Sequence, residues 1–336
     1  MRKFLPLLML LTFLLCGCGD EPVQKPPPQI TIAIQDLPND ESIARDWYKT
    51  EFGELGYKVI VLEYESSGLV SNAMASGNVD IGVIGTSAAV NCISKGLPFE
   101  VFWIHNIEGD NECLVVKNTS GINSIAELKG KRVGVPPDST ALYSLLHSIK
   151  KAGLSTGDVT IMTMQPSAIV KAWKDGKIDA AFLWQPSLGE LLEDGRVLVS
   201  ARELDAMGIT SADVGIVNKD FARKHPAVLK KYVELQTRAH ELFRNQPTQA
   251  AAIAAKNLDV SPTEALKQMN ELVWVDVDEQ ISERYFGTDE WRGNFARTLE
   301  ETAYFLARNM YIAHVVDSEA FAKAINSSFV EAVVKD

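Results

Sequence analysis

The feature that most constrains this chain is an alternation of short apolar runs with amphipathic helical patterns, running twice between residues 30 and 217. Ile30 to Ile34, Lys58 to Leu62 and Val79 to Val83 read as strands. They are separated by a helix over Glu41 to Glu54 and by another that stops at Ser76-Gly77. A helix from Ser87 to Lys95 and strands from Phe99 to Ile104 and Glu112 to Lys117 follow. The pattern then restarts with strand Arg132 to Val135, helix Thr140 to Ala152, strand Val159 to Met162, helix Ser167 to Lys174 and strand Asp179 to Leu183. Such alternation needs crossovers that lay helices over both faces of a sheet, so it predicts α/β architecture with open, mostly parallel sheets. Two cycles of similar length predict two lobes rather than one large sheet. Beyond Val217 the pattern is almost wholly helical, and those helices are expected to pack onto the first lobe.

The N-terminus is a separate unit. Arg2 and Lys3 precede an apolar run from Phe4 to Leu15, which closes on Leu15-Cys16-Gly17-Cys18 and turns polar at Gly19-Asp20. The run falls short of the roughly 20 residues that a membrane helix needs. With its basic start and small residues at the end, it reads as a signal peptide over residues 1–17. The Leu-x-Gly-Cys ending resembles the lipobox of bacterial lipoproteins, which implies lipidation of Cys18 and a periplasmic protein tethered to the membrane. Residues 18–29, Pro-rich from Glu21, read as a stiff tether. The remaining roughly 300 residues suit two lobes of about 150 each. A net charge of −11 spread along the chain, with no basic stripe, excludes nucleic acid as a partner. Cys92 and Cys113 lie in apolar segments, and their spacing leaves open whether they pair or remain buried thiols.

Open parallel sheets bind ligands outside the carboxyl ends of their strands, where helices begin. Three helix starts here share one chemistry: Ser66-Ser67-Gly68, Thr86-Ser87 and Ser139-Thr140. Each adds hydroxyl donors to the free N–H groups and positive dipole end of a helix, a combination that suits an anion such as a sulfonate. Ser and Thr cap helices everywhere, so capping alone explains any one of them. Three in one presumed cleft point to a ligand. Gly153-Leu154-Ser155-Thr156-Gly157 fits the Gly-x-Ser-x-Gly expression of hydrolases, which needs a strand-to-helix turn. This copy follows a helix and precedes a strand, so it reads as a helix stop. His105, His147, His225, His240 and His314 are dispersed, with no pair at metal-ligand spacing. The chain reads as a binder rather than an enzyme, with no metal or cofactor.

A resemblance runs through Ala75-Ser76-Gly77-Asn78-Val79-Asp80-Ile81-Gly82 with Gly85-Thr86-Ser87, and through Asn111-Glu112-Cys113-Leu114. It continues in Leu128-Lys129-Gly130-Lys131-Arg132-Val133-Gly134-Val135-Pro136, Ser139-Thr140, Trp184, Pro186, Asp213-Val214 and Lys219 to Pro226. In this order the segments resemble the solute-binding proteins of nitrate, sulfonate and taurine ABC importers, the taurine-binding components above all. The resemblance implies a two-lobed type II periplasmic-binding-protein fold. Its two hinge crossovers would be Glu112 to Lys117 and Asp213 to Val217, with residues 30–112 and 215–336 in lobe I and residues 113–214 in lobe II. It also implies a small ligand, taurine or a related sulfonate, handed to a membrane permease and ATPase. A binder of another small amine or zwitterion, or an extracytoplasmic sensor subunit, would share these features.

Taurine carries a sulfonate at one end and an ammonium at the other. By the resemblance, Ser67, Thr86, Ser87, Ser139 and Thr140 would face the sulfonate, and Glu112 and Asp213 the ammonium. Gln35, which ends the first strand, offers its amide to either end. Trp184 would cover the methylenes or meet the ammonium with its ring face. Asp36, Asp138, Ala141, Leu142 and Gln185 depart from the pattern, and the two extra carboxylates would favour a more cationic ligand or repel a second anionic group.

Overall fold

The computed structural model describes residues 27–335. The expected signal peptide, Cys18 and most of the expected tether therefore lie outside the described residues. The strands are β1 (Gln29–Ile34), β2 (Lys58–Glu63), β3 (Ile81–Gly85), β4 (Phe99–Ile107), β5 (Glu112–Lys117), β6 (Arg132–Val135), β7 (Thr160–Thr163), β8 (Ala180–Trp184), β9 (Gly195–Ser200) and β10 (Ala212–Asn218). They form two five-stranded sheets, ordered β2-β1-β3-β10-β4 and β7-β6-β8-β5-β9. In the first, β1 is parallel to β2 and β3, while β10 runs antiparallel to β3 and β4. In the second, β6 is parallel to β7 and β8, while β5 runs antiparallel to β8 and β9. Each sheet thus has four strands in one direction and one reversed. The reversed strand is the one that has just crossed from the other sheet. The result is the two-lobed periplasmic-binding-protein fold.

Most strand limits agree with the apolar runs to within two residues. β4 extends to Ile107, three residues past the expected end, and β9 has no counterpart among the expected strands. It begins at a glycine, carries Arg196 in its second place and keeps only Val197-Leu198-Val199 apolar, half-exposed along one edge of its sheet, so its signal is weak.

Local packing explains the layers. The helix α1 (Glu41–Glu54) buries Ala44, Tyr48 and Phe52, spaced four apart on one face. Full burial of such a Phe contributes about 1.5–3 kcal/mol. The helices α2 (Ser67–Ala75), α3 (Thr86–Ser94), α4 (Thr140–Lys151) and α5 (Pro166–Lys174) follow strands β2, β3, β6 and β7. A Cβ at Gly82 would meet Val70 Cγ1 at 2.8 Å, so α2 rests directly on the β3 backbone.

The C-terminal helices pack mainly on the first lobe. Tyr232, in the helix Pro226–Asn245, lies 5.7 Å from the Tyr48 ring, and Phe329 lies 6.2 Å from Phe102. The helix Phe295–Arg308 also reaches the second lobe, where Phe305 stacks on His147 of α4 at 3.5 Å. Cys92 and Cys113 are free and buried, and burial pushes both thiols up. Ser155 donates to Asp158 at 2.7 Å in a capped turn, so the Gly-x-Ser-x-Gly segment is a helix stop. Among the described residues no helix is long and apolar enough to cross a membrane.

Candidate ligand site

The carboxyl ends of the two sheets face each other, and Gly85 marks where they meet. A Cβ on this last residue of β3 would lie 2.8 Å from Thr140 Cγ2, 3.6 Å from Ser67 Oγ and 3.7 Å from Asp213 Oδ1. Only glycine admits so close an approach, and it brings α2, α4 and β10 to one point.

The three helix starts differ in what they leave free. Neither α2 nor α3 has a side-chain cap on its first N–H groups. Ser67 Oγ accepts from Gly85 N at 2.9 Å and from Gln35 Nε2 at 3.2 Å, which leaves its own proton to donate. Thr86 Oγ1 accepts from Ala212 N at 3.4 Å and likewise keeps its proton. Ser66 Oγ and Ser87 Oγ are buried with no hydrogen-bond partner. A buried, unsatisfied hydroxyl costs about 1–3 kcal/mol, so such groups need a reason to persist. In α4, by contrast, Ser139 Oγ accepts from Leu142 N at 3.1 Å and donates to the Pro136 carbonyl at 2.7 Å. The Ser139 hydroxyl is spent on a helix cap, with its proton on a neighbouring carbonyl. Thr140 is also occupied, because its hydroxyl donates to Glu112.

Three buried carboxyl groups gather where the chain passes between the sheets. Glu112 opens β5 opposite Trp184 of β8, and Ser144 adds a second hydroxyl at 3.3 Å. Burial drives the Glu112 carboxyl up to about 8, even though the hydroxyls of Thr140 and Ser144 favour the charged form. Asp213 lies between Gly85 of β3 and Asn106 of β4 and shares a hydrogen bond with Glu108. Burial raises both of these groups, and their mutual repulsion raises Glu108 further. Asn111 donates to Glu108 at 2.6 Å. No Lys or Arg of the described residues pairs with any of the three. Glu108 carries no motif of its own, whereas Ser144 stands one turn beyond Thr140 on the same face of α4 and meets Glu112 where β5 begins.

Outside this buried point, Gln35 and Trp184 line an open cleft of about 350 Å³, together with Tyr64, Pro166 and Pro186. The lobes touch across it through Ser167 Oγ on Glu65 at 2.7 Å, and away from it through Asn91 Nδ2 on Asp138 at 3.1 Å. Gln185 lies elsewhere, donating to Glu271 at 2.9 Å and accepting from Gly189 N at 3.0 Å. Ala141 and Leu142 are buried in the core.

Behind the first lobe's half of the site is a polar network that no sequence spacing announces. Asp40, at the start of α1, accepts from Trp103 Nε1 at 2.7 Å and faces His105 Nδ1 at 2.5 Å and His240 Nε2 at 3.0 Å. Burial pushes its carboxyl up, but the charge and hydrogen bond of His105, with those of His240, outweigh it and hold Asp40 at about 2. Glu41 accepts from Tyr48 at 2.5 Å, Tyr232 at 2.8 Å and Gln236 at 3.1 Å. Asn39 donates to Asn106 at 3.1 Å and so ties the network to the strand beside Asp213. The dispersed histidines are therefore not all isolated.

Two lobes that close over uncapped helix starts and buried carboxyls define a solute-binding class of protein. The chain belongs to the NMT1/THI5-like family, whose model matches residues 43–250. It is 37% identical over 218 residues to the taurine-binding periplasmic protein of Escherichia coli (strain K12), a match covering 65% of this chain and 67% of that one. It is 25% identical over 290 residues to a putative aliphatic sulfonates-binding protein of Bacillus subtilis (strain 168), covering 82% and 86%. The solved structure of the periplasmic aliphatic sulphonate binding protein SsuA from Escherichia coli has the same fold. Its TM-score is 0.70 at 20% identity, covering 87% of this chain and 96% of that one.

Proposed function

We propose that this chain is the solute-binding subunit of an ABC importer, and that it captures taurine or a related small aminosulfonate between its lobes for delivery to a permease and ATPase. In this reading it is a binder, not an enzyme, and works in the periplasm, anchored to the membrane by lipid on Cys18. The observation that carries the reading is the pairing, around Gly85, of unsatisfied donors with buried carboxyls that no Lys or Arg of the described residues neutralises. Ser66, Ser67, Thr86 and Ser87 take the sulfonate with the free N–H groups of α2 and α3. Asp213 and Glu112, with Glu108 behind, take the ammonium, and Thr140 orients Glu112. Gln35 and Trp184 close the ligand in from the cleft. The names of the relatives support the same ligand class.

Donors from one lobe and carboxyls reached through both crossings let ligand favour the closed arrangement over an open one. Calorimetry tests the reading. Taurine is expected to bind and ethanesulfonate, which lacks the ammonium, to bind at least about tenfold more weakly, or about 1.4 kcal/mol. Asp213→Ala is expected to lose the same amount. Equal affinity for the two compounds, or an unchanged affinity in that variant, rejects the ammonium assignment.

A further inference from the structure

The mouth of the cleft sets four carboxylates beside apolar and hydroxyl-bearing side chains, with no Lys or Arg in its lining. Gln35 is 5% exposed, and its amide nitrogen donates to the Val83 carbonyl at 3.1 Å and to Ser67 Oγ at 3.2 Å. A carbonyl only accepts, so Val83 holds the nitrogen on its side and turns Gln35 Oε1 towards the cleft that the residue lines. No donor of the described residues reaches that oxygen.

Around it stand the carboxylates of Asp36, Glu63, Glu65 and Glu190. Arg45 lies 3.7 Å from Asp36 and 3.1 Å from Glu63, and Lys174 lies 2.5 Å from Glu190. Glu65 pairs with no cation among the described residues and accepts from Ser167 Oγ at 2.7 Å. Four carboxylates against two cations leave the mouth negative. Burial and the neighbouring Glu63 push the Asp36 carboxyl up, as expected where negative charge is in excess. Trp184 and Tyr64 supply apolar faces beside these groups, and the cleft of about 350 Å³ falls within the range of small-molecule sites.

We infer that this mouth is a cation subsite, in which Gln35 Oε1, Asp36 and Glu65 hold a second ammonium or guanidinium group on an arm extending outward from the bound aminosulfonate. The preferred ligand is then longer and more cationic than taurine. The inference rests on the function proposed above, since the arm must start from a ligand seated at Gly85.

Calorimetry of the purified protein at neutral pH with taurine and with N-(3-aminopropyl)taurine, which adds one amino arm, tests both. The extended compound is expected to bind at least about tenfold more tightly than taurine. In the double variant D36N/E65Q that preference is expected to fall to within about twofold, since amides keep the shape and remove the charge. Both side chains are exposed, and an unchanged melting temperature checks that the variant is folded. If the native protein binds taurine as tightly as the extended compound or more so, the cation subsite is overturned and the proposed function stands. If it binds neither, the proposed function falls and this inference with it. A preference that survives in D36N/E65Q removes the assignment to these two side chains.

Discussion

The two sheets share one strand order, yet they bury very different groups where their first helix begins. In the first lobe α1 starts at Asp40, which gathers Trp103, His105 and His240 from distant parts of the chain. In the second lobe α4 starts at Ser139, which binds only a neighbouring N–H and a neighbouring carbonyl. The same topology therefore hosts a long-range ionic junction in one half and a local cap in the other. The first lobe orders its loops through buried charge and leaves the first N–H groups of α2 and α3 without a side-chain cap, whereas the second lobe spends the hydroxyls of Ser139 and Thr140 internally.

Substitutions at the paired positions separate these roles. Asp40→Ala removes the buried carboxylate on which Trp103, His105 and His240 converge, so it is expected to cost about 3–5 kcal/mol in urea unfolding. A cost near that of losing a simple cap would mean that the network adds nothing.

Gly85→Ala comes next. The added methyl meets Thr140 Cγ2 at 2.8 Å, and such overpacking costs about 1–3 kcal/mol. Because the clash falls between the lobes, taurine affinity is expected to drop about tenfold or more. Adding Thr140→Ser removes that Cγ2, keeps the hydroxyl on Glu112 and is expected to restore most of the binding. Failure of the rescue would place the damage in the first lobe alone.

The same contrast appears in pH. Asp40 is held at about 2, below its ordinary value of 3.8, so the stability it contributes is present above 3.8 and lost as pH falls towards 2. Glu112 is raised from 4.5 to about 8, so its contribution is present below 4.5 and lost as pH rises through 8. His105, also raised, contributes fully below its ordinary 6.5 and less as pH climbs past its higher folded value. Thermal melts without ligand should therefore show stability falling at both extremes. An ammonium beside Glu112 favours the charged carboxylate, so taurine binding is expected to release a proton. Its affinity should rise between pH 6 and 8, by about tenfold per unit at most. Calorimetry in buffers of different ionisation enthalpy checks the release, and a flat profile would remove Glu112 from the ammonium pole.

The smallest effect belongs to Ser139→Ala, expected to cost about 1 kcal/mol of stability and little taurine affinity. A loss of binding as large as that of Asp213→Ala would return Ser139 to the ligand.

The sequence alone determined the architecture. The strands Glu112–Lys117 and Arg132–Val135 and the helix Glu41–Glu54 have the limits that their apolar patterns indicate, because burial of one face is a local, periodic property. The edge strand Gly195–Ser200 escaped, since a half-exposed strand has a weaker pattern. Only the tertiary structure decided which polar groups are free. Ser66, Ser87 and Ser139 look alike as hydroxyls at helix starts, but the first two are unpartnered and the third is capped. Glu108, His105 and His240 have no local signal, because their neighbours Asp213 and Asp40 reach them through crossings and helices far along the chain. Periodicity is written in adjacent residues, whereas the partner of a buried hydroxyl or carboxyl is chosen by whatever the fold brings within hydrogen-bond reach.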